Sequence, residues 1–264
     1  MEQEALVRLA IFLGLFALLA VAEQFLPRRP RSQTRSQRWM TNWSIVILDS
    51  LTLRLVAIAI PLLAVGAAID AGNRGWGLFN SLSWPPLLEG LICILLLDLL
   101  IWAQHVVTHK IPLLWRIHRV HHADVDVDVT TAIRFHPIEI GLSMGLKICA
   151  VYALGAPALA VIVFEILLNG MAMFNHANLK LPAKLDAALR KVVVTPDMHR
   201  IHHSVHRDEH DSNYGFSLSL WDHAFGTYLA RPREGQAGMA TGLAWRDDRP
   251  ARLGWSLSLP FRRG

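Results

Sequence analysis

Residues Ile138 to Phe174 read IEIGLSMGLKICAVYALGAPALAVIVFEILLNGMAMF, 37 positions that are nearly all apolar. As one helix the run would be about 56 Å long, against a hydrocarbon core of about 30 Å. Gly155-Ala156-Pro157 interrupts it near the middle, and such a Gly/Pro break ends a helix. The stretch therefore reads as a helical hairpin that enters a bilayer and comes back. Histidine-rich segments flank it on both sides, and only an even number of crossings lets them meet. A single crossing would hold them about 30 Å apart.

Three more apolar blocks lie upstream: Ala5 to Phe25, about Trp43 to Ile69 with Asp49 and Arg54 inside it, and about Leu87 to Ala103 with Glu89 and Asp98. Charges at such depth are costly and face a protein interior. Ala20-Val21-Ala22 resembles a signal-peptide cleavage site. The acidic start Met1-Glu2-Gln3-Glu4 and the cluster Arg28, Arg29, Arg31, Arg35 and Arg38 favour an anchor instead. The whole chain agrees, with 264 residues, 53% hydrophobic, 18% charged, and a mean hydropathy of +0.32. Soluble domains carry about 25% charged residues, so a soluble enzyme and a disordered chain are both excluded. Cys93 and Cys149 sit inside apolar blocks and indicate no disulfide framework.

The fold expected is all-α and integral to the membrane, because helices and closed barrels alone satisfy their backbone in lipid. About four transmembrane or re-entrant elements would carry a helical cap. Residues 1–97 read as anchor helices, 98–228 as a histidine-rich core and 229–264 as a polar tail. The net charge of +5 reports orientation rather than a nucleic-acid partner, and none is expected. Short basic loops stay in the cytoplasm. The arginine cluster thus places the cap on the cytoplasmic side, in a bacterial inner membrane.

All 13 histidines fall between His105 and His223. His105 and His109 are spaced i, i+4, one face of a helix. His118, His121 and His122 form an HxxHH triplet, which His199, His202 and His203 repeat, with His136 and His176 between them. Three neutral imidazoles on one helical stripe suit a metal. Ten such residues exceed the four ligands of a tetrahedral zinc and would suit two metals of high coordination number. No HExxH, no Glu-x-x-His bundle motif and no phosphate-binding glycine loop is present. His206, His210 and His223 read as polar surface residues.

The ordered set Asp98…His105-x3-His109…His118-x2-His121-His122…His136-Pro137-x-Glu139…His176-x-Asn178…His199-x2-His202-His203 resembles the fatty acid hydroxylase/sterol desaturase superfamily. Asn213-Tyr214-Gly215, Trp221-Asp222 and Phe225-Gly226-Thr227 are similar to its closing motif. The resemblance covers about Leu97 to Tyr228. It implies a membrane-bound non-haem di-iron oxygenase that uses O2 to hydroxylate or desaturate a fatty acyl chain or sterol-like lipid. It also implies ten catalytic metal ligands: His105, His109, His118, His121, His122, His136, His176, His199, His202 and His203. A purified sample can carry zinc instead. Asp98, Glu139, Asn175 and Asn178 are expected to orient imidazole N–H groups, with His206 extending the last stripe. Val106 and His223 depart from the family, which often has arginine at both places; this bears on the substrate rather than the metal site.

Two electrons must come from outside. His136-Pro137 is followed by Ile138, so no fused cytochrome b5 signature is present and a separate donor is expected, of cytochrome b5, ferredoxin or reductase type. The competing class is a non-catalytic membrane protein that binds or transports metal, and within enzymes a carotenoid hydroxylase shares the histidine logic. Histidines gathered on one side, with only scattered charges in the spans, favour the lipid oxygenase.

Overall fold

The structure is a computed structural model and describes residues 2–59, 63–245 and 247–262. The protein is helical throughout. Among the described residues there are no strands, only three isolated bridges. The long helices are α1 (Glu2–Phe25), α2 (Arg35–Ala59), α4 (Pro86–Lys110), α6 (Pro137–Leu154) and α7 (Ala158–His176), with the short α3 (Ala64–Arg74) between α2 and α4. Those five long helices are apolar enough to cross a membrane; the hairpin supplies two of them. The second apolar block, read from Trp43 to Ile69, includes residues 60–62, which lie outside the described residues. On either side of them stand α2 and α3 rather than one continuous span.

The outer surface explains the composition. Leu6, Leu13 and Leu18 of α1, Leu51 and Leu55 of α2, Leu87 and Leu91 of α4 and Leu142 of α6 are all exposed. Contiguous apolar surface on this scale has no place in water and marks the lipid boundary. Inside, the alanines of α3 (Ala64, Ala67, Ala68) pack with Phe79, Leu97, Val151, Ala160 and Phe164. A second cluster joins Phe16 of α1 to Ile133, Ala172 and Met173.

Gly155 closes α6 in the left-handed region at φ 63° and starts the tip of the hairpin. Gly77 lies against it so closely that a Cβ there would stand 2.0 Å from Gly155 N. The Leu78 N–H donates to Ala153 O at 3.0 Å, tying this outer loop to the tip.

At the opposite end sits the cap. Pro112 starts α5 (Pro112–His122) after a break at Ile111, and proline at a first helical position is preorganised for it. Later come α8 (Ala183–Leu189) and α9 (Pro196–His202). Thr195 caps α9 by accepting from Met198 N at 3.3 Å. The cap is bolted to α2 by buried charge. Arg38 donates to Asp124 at 2.6 and 2.7 Å and to Asp128 at 2.9 Å. Burial alone would push the Asp124 carboxyl up, but Arg38 outweighs it and holds the group at about 2. The polar C-terminal segment belongs to this cap as well. Trp255 and Leu259 pack on Val120 and Ala123, and Arg134 donates to Pro250 O and Ser256 Oγ.

Candidate metal centre

Four helices deliver imidazoles to one buried place. The last turns of α4 carry His105 and His109, α5 carries His118, His121 and His122, α7 ends on His176, and α9 brings His199 and His202 with His203 as its C-cap. They form two groups, His105, His109, His118, His122 and His202 in one and His121, His176, His199 and His203 in the other. Within each group the nitrogens lie within 4.8 Å of one another. The groups adjoin, with the His122 and His203 rings stacked at 4.6 Å. Each HxxHH triplet divides between them rather than forming one stripe. The i, i+4 members stay together, and the middle histidine, His121 or His202, turns to the other group.

Tautomers decide what such packing means. Nδ1 of His105, His176 and His202 lies 2.7 Å from the carbonyls of Tyr214, Ala172 and Ser212, and His118 Nδ1 lies 2.7 Å from Glu139 Oε1. A carbonyl or carboxylate accepts only, so each of these Nδ1 atoms carries the proton and each Nε2 presents a lone pair. Yet His176 Nε2 has three neighbours, His121, His199 and His203 Nε2, at 3.0, 3.1 and 3.1 Å. His118 Nε2 has His105 and His122 Nε2 at 3.1 and 3.2 Å. A single lone pair cannot bond three neighbours, and facing lone pairs repel. A cation at the centre resolves both, since imidazoles at about 2.1 Å from one ion at right angles stand about 3.0 Å apart. The donor set therefore fits two metal ions. His109 Nδ1 and Nε2 and His202 Nε2 are buried without a hydrogen-bond partner, which points the same way.

Burial, then the neighbouring imidazoles, pushes His121, His122, His199, His202 and His203 well below the ordinary histidine value of 6.5. They are neutral at neutral pH, the form that binds a metal.

Of the ten expected ligands, His136 alone is not brought together with the others. It stands outside both groups, where its Nδ1 accepts from Ile138 N at 3.2 Å as the N-cap of α6 and its Nε2 lies 3.2 Å from Leu257 O. Of the expected orienting residues, Glu139 alone touches one of the nine histidines. Asp98 accepts from Trp221 Nε1 at 2.8 Å, and Asn175 donates to Phe216 O. Asn178 exchanges bonds with the backbone of Arg29, and His206 lies 3.4 Å from Glu234. The missed positions are backbone carbonyls, which leave no mark in a sequence, and His210. Its ring stacks on Trp115 at 5.1 Å, and it groups with His109 and Asp211.

Beneath the histidines a cavity of about 320 Å³ runs down between the long helices. His105 and His118 line its upper end, Ile101, Ala172 and Phe216 its apolar walls, and Lys147 and Glu165 its depth.

The sequence pattern of the fatty acid hydroxylases matches residues 90–227, just over half the chain. The chain belongs to the fatty acid hydroxylase family. It is 24% identical over 226 residues to an ornithine lipid hydroxylase of Rhizobium tropici, covering 84% of this chain and 67% of the relative. It is 28% identical over 127 residues to a human alkylglycerol monooxygenase, covering 48% and 27%, and 27% identical over 144 residues to a rat cholesterol 25-hydroxylase, covering 54% and 47%. The chain thus spans about a quarter to two thirds of these relatives. No solved structure matches it. Family membership and the helical membrane architecture agree with the sequence reading.

Proposed function

We propose that this family member is a membrane-bound lipid hydroxylase that uses O2, with iron held by the nine clustered histidines. The observation that carries this is the set of mutually facing Nε2 lone pairs at the head of a cavity sunk among lipid-exposed helices. The relatives are named for an ornithine lipid, an alkylglycerol and cholesterol, and the substrate proposed here is likewise a lipid of the bilayer.

His105, His109, His118, His122 and His202 would hold one ion and His121, His176, His199 and His203 the other. Two irons bound there would supply the O2 reduction and C–H cleavage that side chains cannot. The residues do the rest. Glu139 and the carbonyls of Tyr214, Ala172 and Ser212 fix the tautomers and ring planes. Ile101, Ala172 and Phe216 wall the cavity with apolar surface that admits a lipid chain and excludes water.

The electrons are proposed to come from a separate donor at the cytoplasmic face. Supporting that sidedness, the arginine cluster touches the cap itself. Arg38 pairs with Asp124, and Arg28 donates to Asp197 at 2.8 Å. The basic loop that retains the cytoplasmic side therefore shares its side with the histidines. The test is iron content together with reductant-dependent O2 uptake by the purified protein, and lipid profiling of a deletion strain to find the substrate. Bound metal without O2 uptake in the presence of bilayer lipid and reductant would favour the metal-handling alternative.

A further inference from the structure

The cavity holds a polar device that the metal chemistry does not use. Asp49, midway along α2, lines it and is 5% exposed. Asp49 makes no hydrogen bond or ion pair among the described residues, and its Oδ1 is buried without a partner. Glu139 lines the same space at 8% exposure. Its Oε1 is taken by His118 Nδ1, while its Oε2 is buried and unpartnered. The two carboxyls are neighbours close enough to interact electrostatically. Geometry agrees. α2 and α6 descend side by side from the cap, and a Cβ at Gly141 would lie 3.9 Å from Thr52 Cγ2. Asp49 and Glu139 precede those residues on their helices and so face the cavity at similar depth.

An unpaired buried carboxyl is costly. The lysine and arginine that line the cavity are committed elsewhere. Lys147 donates to Glu165 at 2.8 Å, and Arg8 is paired with the same Glu165 and with Glu4. Glu139 to Lys147 is eight residues, about 12 Å along α6, so that cluster belongs to the deep end. At the upper end two acceptor oxygens, Asp49 Oδ1 and Glu139 Oε2, are left without a protein donor.

We propose that Asp49, with Glu139 beside it, is the docking point for a hydrogen-bond donor on the substrate, an O–H or a protonated amine. The inference rests on the lipid-oxygenase reading and adds a selection rule to it. Because the docking point is level with His118, the donor is held at the histidine end of the cavity, and lipids lacking such a group are poorly retained.

Binding to the full-length protein in nanodiscs tests this with three probes of equal chain length, hexadecan-1-ol, hexadecylamine and 1-methoxyhexadecane, which accepts but cannot donate. The wild type is expected to bind one or both donors about tenfold tighter than the ether, the scale of satisfying an otherwise unpaired buried acceptor. Asp49→Ala should erase the preference while metal content stays at the wild-type level. Asp49→Asn separates the two donors, keeping an alcohol preference through its carbonyl oxygen and losing an amine preference that depends on charge. Equal binding of all three probes by the wild type, or an unchanged preference in Asp49→Ala, overturns the proposal. Reductant-dependent O2 uptake is measured in parallel. Its absence with the donor preference intact would overturn the oxygenase reading and leave the docking point standing.

Discussion

Glu139 Oε1 lies 2.7 Å from His118 Nδ1, so a carboxylate rather than a carbonyl sets the tautomer of that imidazole. Losing such a partner typically lowers metal affinity about 10- to 100-fold. Glu139→Leu should therefore lose metal from the group containing His118, while Glu139→Gln keeps an acceptor and most of the metal. Titration against a chelator of known affinity measures this. Equal retention in Glu139→Leu and the wild type would remove Glu139 from the role.

The split of the triplets gives a stoichiometric prediction. His121→Ala and His202→Ala strike different groups, and each should abolish activity while the protein stays in the membrane. Elemental analysis should find each variant missing metal from one site rather than from both. Full activity in either would refute the assignment.

His136→Ala is the contrasting case. The side chain caps α6 and touches neither group, so the expected loss is about 1 kcal/mol of stability, the scale of a helix cap. Metal stoichiometry should match the wild type. Loss of a full metal equivalent would return His136 to the ligand set.

Acidity should act through the buried imidazoles. His121, His122, His199, His202 and His203 are depressed below 6.5 when folded. An unfolded chain binds protons there that the folded chain refuses, so stability rises with pH across that window. The metal-free protein is expected to lose stability steadily as pH falls below about 6.5, the ordinary histidine value. Thermal unfolding of chelator-treated protein between pH 7.5 and 5.5 measures it, and a flat profile would contradict the burial.

Sidedness can be read with single cysteines in a chain freed of Cys93 and Cys149. Exposed Lys110 and Lys191 flank the two halves of the histidine set, and exposed Asn73 lies toward the opposite end. Cysteines at 110 and 191 should be blocked only by reagents that reach the cytoplasm, and a cysteine at 73 by impermeant reagents from outside. Opposite labelling of 110 and 191 would break the shared site.

Much of this was legible because the signals are periodic. The Gly155-Ala156-Pro157 break announces the hairpin, and the i, i+4 spacings announce His118 with His122 and His199 with His203. Spacing cannot show that His121 and His202 turn the other way, since that depends on which helix each one meets. Nor can it separate His136 from its neighbours: a histidine before Pro137 looks the same whether its lone pair faces a metal or the Ile138 N–H. The orienting groups were the least visible, because Tyr214, Ala172 and Ser212 act through carbonyls that any residue would supply. Asp49 was read only as a charge inside a span. That it lacks a partner becomes visible once α2 and α6 stand together.

The contact between Gly77 and Gly155 couples the end of the bundle farthest from the cap to the spacing of the histidine groups. Glu139 lies near the start of α6 and His176 at the end of α7, so their relative height depends on how the turn between them is clamped. A side chain at Gly77 would wedge that turn apart, and two stiff rods of 18 and 19 residues would carry the shift to the far end like the arms of a pair of tongs. The damage would surface as weakened metal affinity, with every histidine still in place.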